Sequence, residues 1–156
     1  VAGLRPGTRA YLDGPHGVFT PDRNEGPGFV LIAGGVGIGP LMSMLRTFAD
    51  RDDRRPCLLI YASRTLDDAT FLEEIGQLRG RLDLTTVLVP EVPPEGWTEE
   101  SGRIDQALIR RHLPPRFERM QYFVCGPPPM LDAVEATLAE LGVPAARVHT
   151  ERFVFV

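Results

Sequence analysis

Two glycine–proline segments carry the residue types best suited to chemistry. The first, Ala33-Gly34-Gly35-Val36-Gly37-Ile38-Gly39-Pro40-Leu41, follows an apolar run and opens a stretch of helical period. Glycines let the backbone pass close to a ligand, and Pro40 suits a first helical turn. A helix N-terminus offers free N–H groups and a positive dipole end to a pyrophosphate. The loop departs from G-x-G-x-x-G, because counting from Gly35 the last glycine is replaced by Pro40, and tight helix–strand packing would call for the same glycines. The second segment, Val124-Cys125-Gly126-Pro127-Pro128-Pro129-Met130, again links an apolar run to a helical stretch. Cys125 taken alone is either a small buried hydrophobe or a reactive group. Ser63-Arg64 ends another apolar run, where a carboxylate would otherwise bond a free ribose 2′-hydroxyl. A hydroxyl beside a guanidinium suits a 2′-phosphate instead, against which Asp67 and Asp68 would work, and either acid is an alternative ion-pair partner for Arg64.

The elements that must position these residues alternate along the chain. Apolar runs at Phe29–Ala33, Cys57–Ala62, Leu84–Val89, Tyr122–Cys125 and Arg147–Phe155 predict strands. Helical spacing predicts helices over Leu41–Asp50, Asp68–Arg79, Asp105–His112 and Met130–Leu141, with a proline-rich loop from Pro90 to Gly102. Strands without strict alternation are buried on both faces, and βα repetition with right-handed crossovers gives a doubly wound parallel α/β sheet. Both glycine–proline loops then fall at the carboxyl edge of the sheet, where open α/β sheets bind ligands. Residues 1–20 hold short strand fragments between turns at Pro6-Gly7 and Asp13-Gly14-Pro15, and the polar spacer Thr20–Gly28 marks a boundary. The expected division is therefore residues 1–27, then a main domain over 28–156.

Composition narrows the classes further. The chain has 156 residues, 43% hydrophobic and 24% charged, with a net charge of −4, which suits one globular domain. With 16 glycines and 15 prolines it is rich in loop formers, and all 17 of its basic residues are arginine, with no basic tail for nucleic acid. The longest apolar stretch, Phe29–Met44, is broken by glycine and proline and does not read as a membrane span. Cys57 and Cys125 lack metal or disulfide spacing, so no metal site is expected and a reducing, cytoplasmic setting is. Val1-Ala2-Gly3-Leu4-Arg5 suggests a piece of a longer polypeptide.

In order along the chain, Pro6-Gly7-Thr8, Asp13-Gly14-Pro15-His16-Gly17, Gly34–Pro40, Tyr61-Ala62-Ser63-Arg64, Cys125–Met130 and Glu151-Arg152-Phe153 resemble the nicotinamide-binding half of the ferredoxin–NADP reductase superfamily. The succession looks most like the C-terminal dehydrogenase part of the ferric reductase and NADPH oxidase branch. The resemblance implies a five-stranded parallel sheet of order 3-2-1-4-5 and an N-terminal remnant of a flavin-binding β-barrel. It also implies binding of NADPH, with NADH as the alternative, and hydride delivery to FAD held by a flavin-binding domain of the parent protein. Electrons would then pass through a membrane haem domain, at the cytoplasmic face, to ferric iron or dioxygen.

By the same resemblance Gly35, Val36, Gly37, Ile38, Gly39 and Pro40 face the pyrophosphate, while Cys125, Gly126, Pro127 and Met130 border the nicotinamide. Ser63 and Arg64 meet the 2′-phosphate. Glu151 lies beside the flavin edge, and Phe153, with Phe155 as second candidate, covers the flavin face unless it fills one face of the last strand. Cys125 acts there as a positioning group, since direct hydride transfer needs no acid–base residue. Gly39 stands where many relatives have Thr or Ser, and Arg9-Ala10-Tyr11-Leu12 meets only half of the barrel's flavin signature, so FAD binding by this chain alone is expected to be weak or absent, and the fragment alone inactive. Two other readings stay open, a soluble reductase serving an oxygenase or globin, and a non-catalytic nucleotide-sensing or interaction module. Trp97 either covers an adenine or pins its loop; His112 serves a helix C-terminus, His149 lies in the core or at its rim, and Asp50–Arg55 forms a solvated helix end.

Overall fold

The computed structural model describes Arg9, residues 17–22 in full with the backbone of Arg23, and residues 25–153. The turn and strand fragments expected over Pro6–Thr8 and Tyr11–His16, and the candidate Phe155, lie outside the described residues. Five strands alternate with four helices: β1 (Phe29–Gly34), α1 (Ile38–Asp50), β2 (Cys57–Ser63), α2 (Leu72–Arg79), β3 (Leu84–Pro90), α3 (Gln106–His112), β4 (Gln121–Gly126), α4 (Pro128–Glu140) and β5 (Val148–Arg152). The strands form one parallel sheet in the order β3-β2-β1-β4-β5, as expected from the sequence.

Side-chain alternation along the buried strands divides the core into two layers. Phe29, Leu31 and Ala33 of β1 join Leu59, Tyr61, Phe123 and Cys125 on the face covered by α1 and α2. Val30 and Ile32 join Leu58, Ile60, Tyr122 and Val124 on the face covered by α3 and α4. Residues of both parities in β1 and β4 are therefore fully buried, which is why those strands read as unbroken apolar runs.

The differences from the expected boundaries have local causes. α1 and α4 start earlier, at Ile38 and Pro128, because a proline in the first turn removes only N–H groups that lack a helical partner. α2 starts four residues later than expected. Thr65 and Asp68 close a turn of their own, Thr65 Oγ1 donating to Asp68 at 2.7 Å. Tyr61 Oη holds the Thr70 N–H at 3.1 Å, and Phe71 adopts a left-handed φ of 64° just before the helix. The Asp50–Arg55 segment is less solvated than expected. Arg55 is half-buried over the Phe29 ring, 4.5 Å from its centroid, and pairs with Asp53.

Candidate functional site

The strand order reverses direction at β1, whose carboxyl end is flanked by β2 on one side and β4 on the other. The β1–α1 and β4–α4 connections leave the same edge and meet above it. This is the switch point at which an open α/β sheet has a crevice. Three glycines make the meeting possible. A Cβ on Gly34 would stand 2.7 Å from Met130 Sδ and 2.9 Å from Pro127 Cδ. One on Gly37 would stand 2.1 Å from the carbonyl oxygen of Cys125, and one on Gly126 would stand 3.1 Å from the Gly34 nitrogen. Gly34, Gly37, Cys125, Gly126, Pro127 and Met130 are thus brought into one cluster.

The outer side of the same loop is open. Gly35 has a positive φ of 53° and is exposed, Val36 is exposed, and nothing lies within 4 Å of a Cβ built on Gly35 or Gly39. No side chain caps the N-terminus of α1. Pro40, third in the helix, has no N–H to offer, and the Ile38 N–H is donated to the carbonyls of Gly35 and Val36, so any anion contact here falls to the neighbouring backbone N–H groups of the loop. A Gly-lined ledge at a helix N-terminus, clear of side chains, fits the pyrophosphate of a dinucleotide. Ile38 is buried beneath this ledge and anchors it to the core.

Ser63 and Arg64 lie where β2 ends. The Ser63 hydroxyl donates to the Thr65 carbonyl at 2.7 Å, and the turn is held from the other side by Glu91 N–H to Ser63 O and Val92 N–H to Arg64 O, both 2.8 Å. Among the described residues the exposed Arg64 guanidinium has no ion-pair or hydrogen-bond partner, neither Asp67 nor Asp68 included. It is therefore available to an outside anion.

On the other flank, β5 sets Glu151 opposite Cys125 and Arg152 opposite Gly126, and the Phe153 N–H reaches the Gly126 carbonyl at 3.3 Å. Cys125 is fully buried. Burial, and secondarily the Glu151 charge, push its thiol up to about 12, so it is neutral at physiological pH. Phe153 is half-buried and packs against the core layer containing Phe123 and Cys125.

Other sequence candidates fall elsewhere. Trp97 pins its own loop, donating from Nε1 to the Glu100 carbonyl at 2.7 Å. His112 does more than serve the end of α3. Its Nε2 lies 2.9 Å from Glu100 Oε1, and Arg111 grips the same carboxylate at 3.0 and 2.7 Å. His149 stacks on Phe123 at 4.8 Å and lies 3.2 Å from Gln121 Oε1, with burial holding its pKa below the usual range. Sequence reasoning missed one arrangement near the site, the Arg152 side chain reaching Asp132 at 2.7 Å and Glu135 at 3.0 Å on α4. The three-residue spacing of those acids on one helix was its only signal. No described helix is long and apolar enough to cross a membrane, and no group of metal-ligating side chains occurs among the described residues.

Comparison with known proteins agrees with this geometry. The chain is 35% identical to NADH-cytochrome b5 reductase 1 of Cryptococcus neoformans over 92% of its own length and 52% of the relative's. It is 33% identical to the reductase component of propane 2-monooxygenase from Rhodococcus jostii, over 97% of this chain and 42% of that one. Among solved structures, the Amycolatopsis cytochrome P450 reductase superposes with a TM-score of 0.75 at 28% identity, covering 90% of this chain and 42% of the other. The FAD/NAD-binding domain of nitric oxide dioxygenase from Vibrio cholerae gives 0.72 at 28%, covering 83% and 52%. The chain spans about half the length of the curated relatives it matches. Residues 31–136 match the model of the oxidoreductase NAD-binding domain, which takes in both glycine loops and the Ser63-Arg64 turn. The chain belongs to that family, the dinucleotide-binding half of the ferredoxin–NADP reductase-like flavin reductases.

Proposed function

We propose that this chain binds a reduced nicotinamide dinucleotide across the β1/β4 switch point and presents its nicotinamide to FAD on a flavin-binding domain of the same polypeptide. The observation that carries this reading is the meeting of the two glycine–proline loops, with Gly37 seated on the Cys125 carbonyl. When bound, the nicotinamide supplies a hydride and the flavin receives both electrons with it, so the protein's work is alignment.

In this reading the backbone of Gly35, Val36, Gly37, Ile38 and Gly39 holds the pyrophosphate, and Cys125, Gly126, Pro127 and Met130 form the wall beside the nicotinamide. Cys125 shapes that wall and is no nucleophile, in keeping with a thiol pushed up to about 12. Glu151 and Phe153 stand at the flavin side, Glu151 as the charge nearest the reacting edge and Phe153 as the ring that yields to the nicotinamide. Residues 1–27 are the end of the flavin barrel with its linker, and 28–156 the nucleotide domain.

Arg64 gives the reading its cofactor preference. Its exposed guanidinium, without a partner among the described residues and next in sequence to Ser63, favours NADPH, although several relatives are named for NADH. Relatives named as the reductase of a monooxygenase and of a cytochrome P450 favour an oxygenase as the electron acceptor. The other route, through a membrane haem domain to ferric iron or dioxygen as in the ferric reductase and NADPH oxidase branch, has the residue resemblance as its support.

Calorimetric titration with NADP⁺ and NAD⁺, on the wild type and on Arg64→Ala, tests the nucleotide reading. Tighter NADP⁺ binding that Arg64→Ala erases is the expected result. Equal binding of both, unchanged in the variant, would make the protein NADH-linked and Arg64 a surface residue. Tight binding with no dye reduction by the full-length protein would favour a nucleotide-sensing module. Membrane-spanning histidine-bearing helices in the full-length sequence would favour the haem route over the oxygenase route.

A further inference from the structure

β5 is an edge strand, half-buried over Val148–Thr150 and exposed at Glu151 and Arg152, so its last two residues have little apolar burial of their own and the half-buried Phe153 that follows is the nearest apolar contact on the core. Such strand ends open locally at small free-energy cost. Yet the last two pairings of this strand, Cys125 with Glu151 and Gly126 with Arg152, are the ones that bring the chain end to the nicotinamide wall. The side chain of Arg152 supplies what burial does not. One guanidinium nitrogen lies 2.7 Å from Asp132 Oδ1 and another 3.0 Å from Glu135 Oε2, so two carboxylates on successive turns of α4 grip one fork. α4 is the helix that leaves the Gly126–Pro127 loop, and its Met130 packs on Gly34 and Gly126. Strand end, helix and nicotinamide wall are thereby tied into one unit.

We propose that Arg152 is a positioning residue, whose clamp on Asp132 and Glu135 holds Glu151 and Phe153 in register with Cys125 and Gly126. This rests on the nucleotide-binding reading for its catalytic consequence, though the clamp itself does not. Without the clamp the end of β5 frays, Cys125 is uncovered along that flank, and the residues beside the flavin lose their fixed place. These exposed pairs contribute modestly to global stability, so the effect is local opening and not unfolding.

The test is alkylation of the two buried cysteines by excess N-ethylmaleimide in the full-length protein, followed by peptide mass. Arg152→Ala and, by a second route, the double variant Asp132→Asn/Glu135→Gln are expected to speed labelling of Cys125 on the order of five- to tenfold, with Cys57 unchanged. Arg152→Lys, which keeps one pair, falls between. Added salt accelerates Cys125 labelling in the wild type and not in Arg152→Ala. With ferricyanide as acceptor, kcat falls severalfold in Arg152→Ala while KM for the reduced nucleotide stays within twofold. Unchanged Cys125 labelling in both variants would overturn the clamp. Equal acceleration at Cys57 would show a merely structural loss of stability, and a rise in KM alone would place Arg152 in nucleotide binding. A wild type that binds neither nucleotide defeats the nucleotide reading, while the labelling still decides the clamp.

Discussion

Gly37 rests on the main chain of Cys125, so that a Cβ there would stand 2.1 Å from the carbonyl oxygen and 2.5 Å from its carbon. Both partners are backbone. The carbonyl belongs to a central strand paired on both sides, to β1 and to β5, and cannot swing away as the end of a side chain would. The contact fixes the first glycine–proline loop against the second, and everything proposed for the site depends on that spacing.

Gly37→Ala is accordingly expected to destabilise the domain by about 2 kcal/mol or more, in the range of core overpacking, and to abolish dinucleotide binding. Gly39→Thr is the control, because nothing lies within 4 Å of its Cβ. It should change stability by less than about 1 kcal/mol and keep or improve binding. Denaturant melts and nucleotide titration of both variants check this pair, and equal losses would show that the two loops are not in the contact described.

The strands were legible as apolar runs between polar helical stretches, most plainly β1 and β4, which are buried on both faces, whereas their order came from the resemblance of the glycine–proline segments and not from the runs. The start of α2 was not legible. Residues from Asp68 onward have helical spacing, but the Tyr61 hydroxyl takes the Thr70 N–H from a strand nine residues away, and that tertiary bond delays the helix to Leu72. The glycine loops of the site were legible by type, since few other residues allow backbone to meet backbone. The ties around the site were not, because Arg152 with Asp132 and Glu135, or Glu100 with Arg111 and His112, join exposed residues whose meeting depends on topology and rotamers. Charge runs alone gave the opposite impression at Asp53-Arg54-Arg55, where Arg55 covers an aromatic ring.

Thr86 offers a gain in stability. On β3 its Oγ1 is the buried side-chain polar atom without a hydrogen-bond partner among the described residues. An unsatisfied buried hydroxyl costs about 1–3 kcal/mol, and valine has nearly the same shape. Thr86→Val should therefore raise stability by about 1 kcal/mol in urea melts, with nucleotide binding unchanged. A loss would mean that water reaches the hydroxyl.

Glu100 ties the long loop after β3 to the end of α3, and that loop begins by holding the Ser63-Arg64 turn through the N–H groups of Glu91 and Val92. Hydrogen bonds from Arg111 first, and from His112, pull its carboxyl down to about 2. A carboxyl whose folded pKa lies below its unfolded one gives stability that is complete above the ordinary glutamate range and lost as pH falls through the folded value. Glu100→Gln lacks the charge at every pH. The wild type should thus exceed the variant at neutral pH, by a margin that shrinks between about pH 4.5 and 2 and vanishes below. Solvent screening keeps that margin near 1 kcal/mol or less at pH 7. Because the loop also braces Arg64, the variant should lose part of any preference for NADP⁺ over NAD⁺ while binding NAD⁺ as before. A variant with unchanged preference would confine the Glu100 tie to the loop and α3.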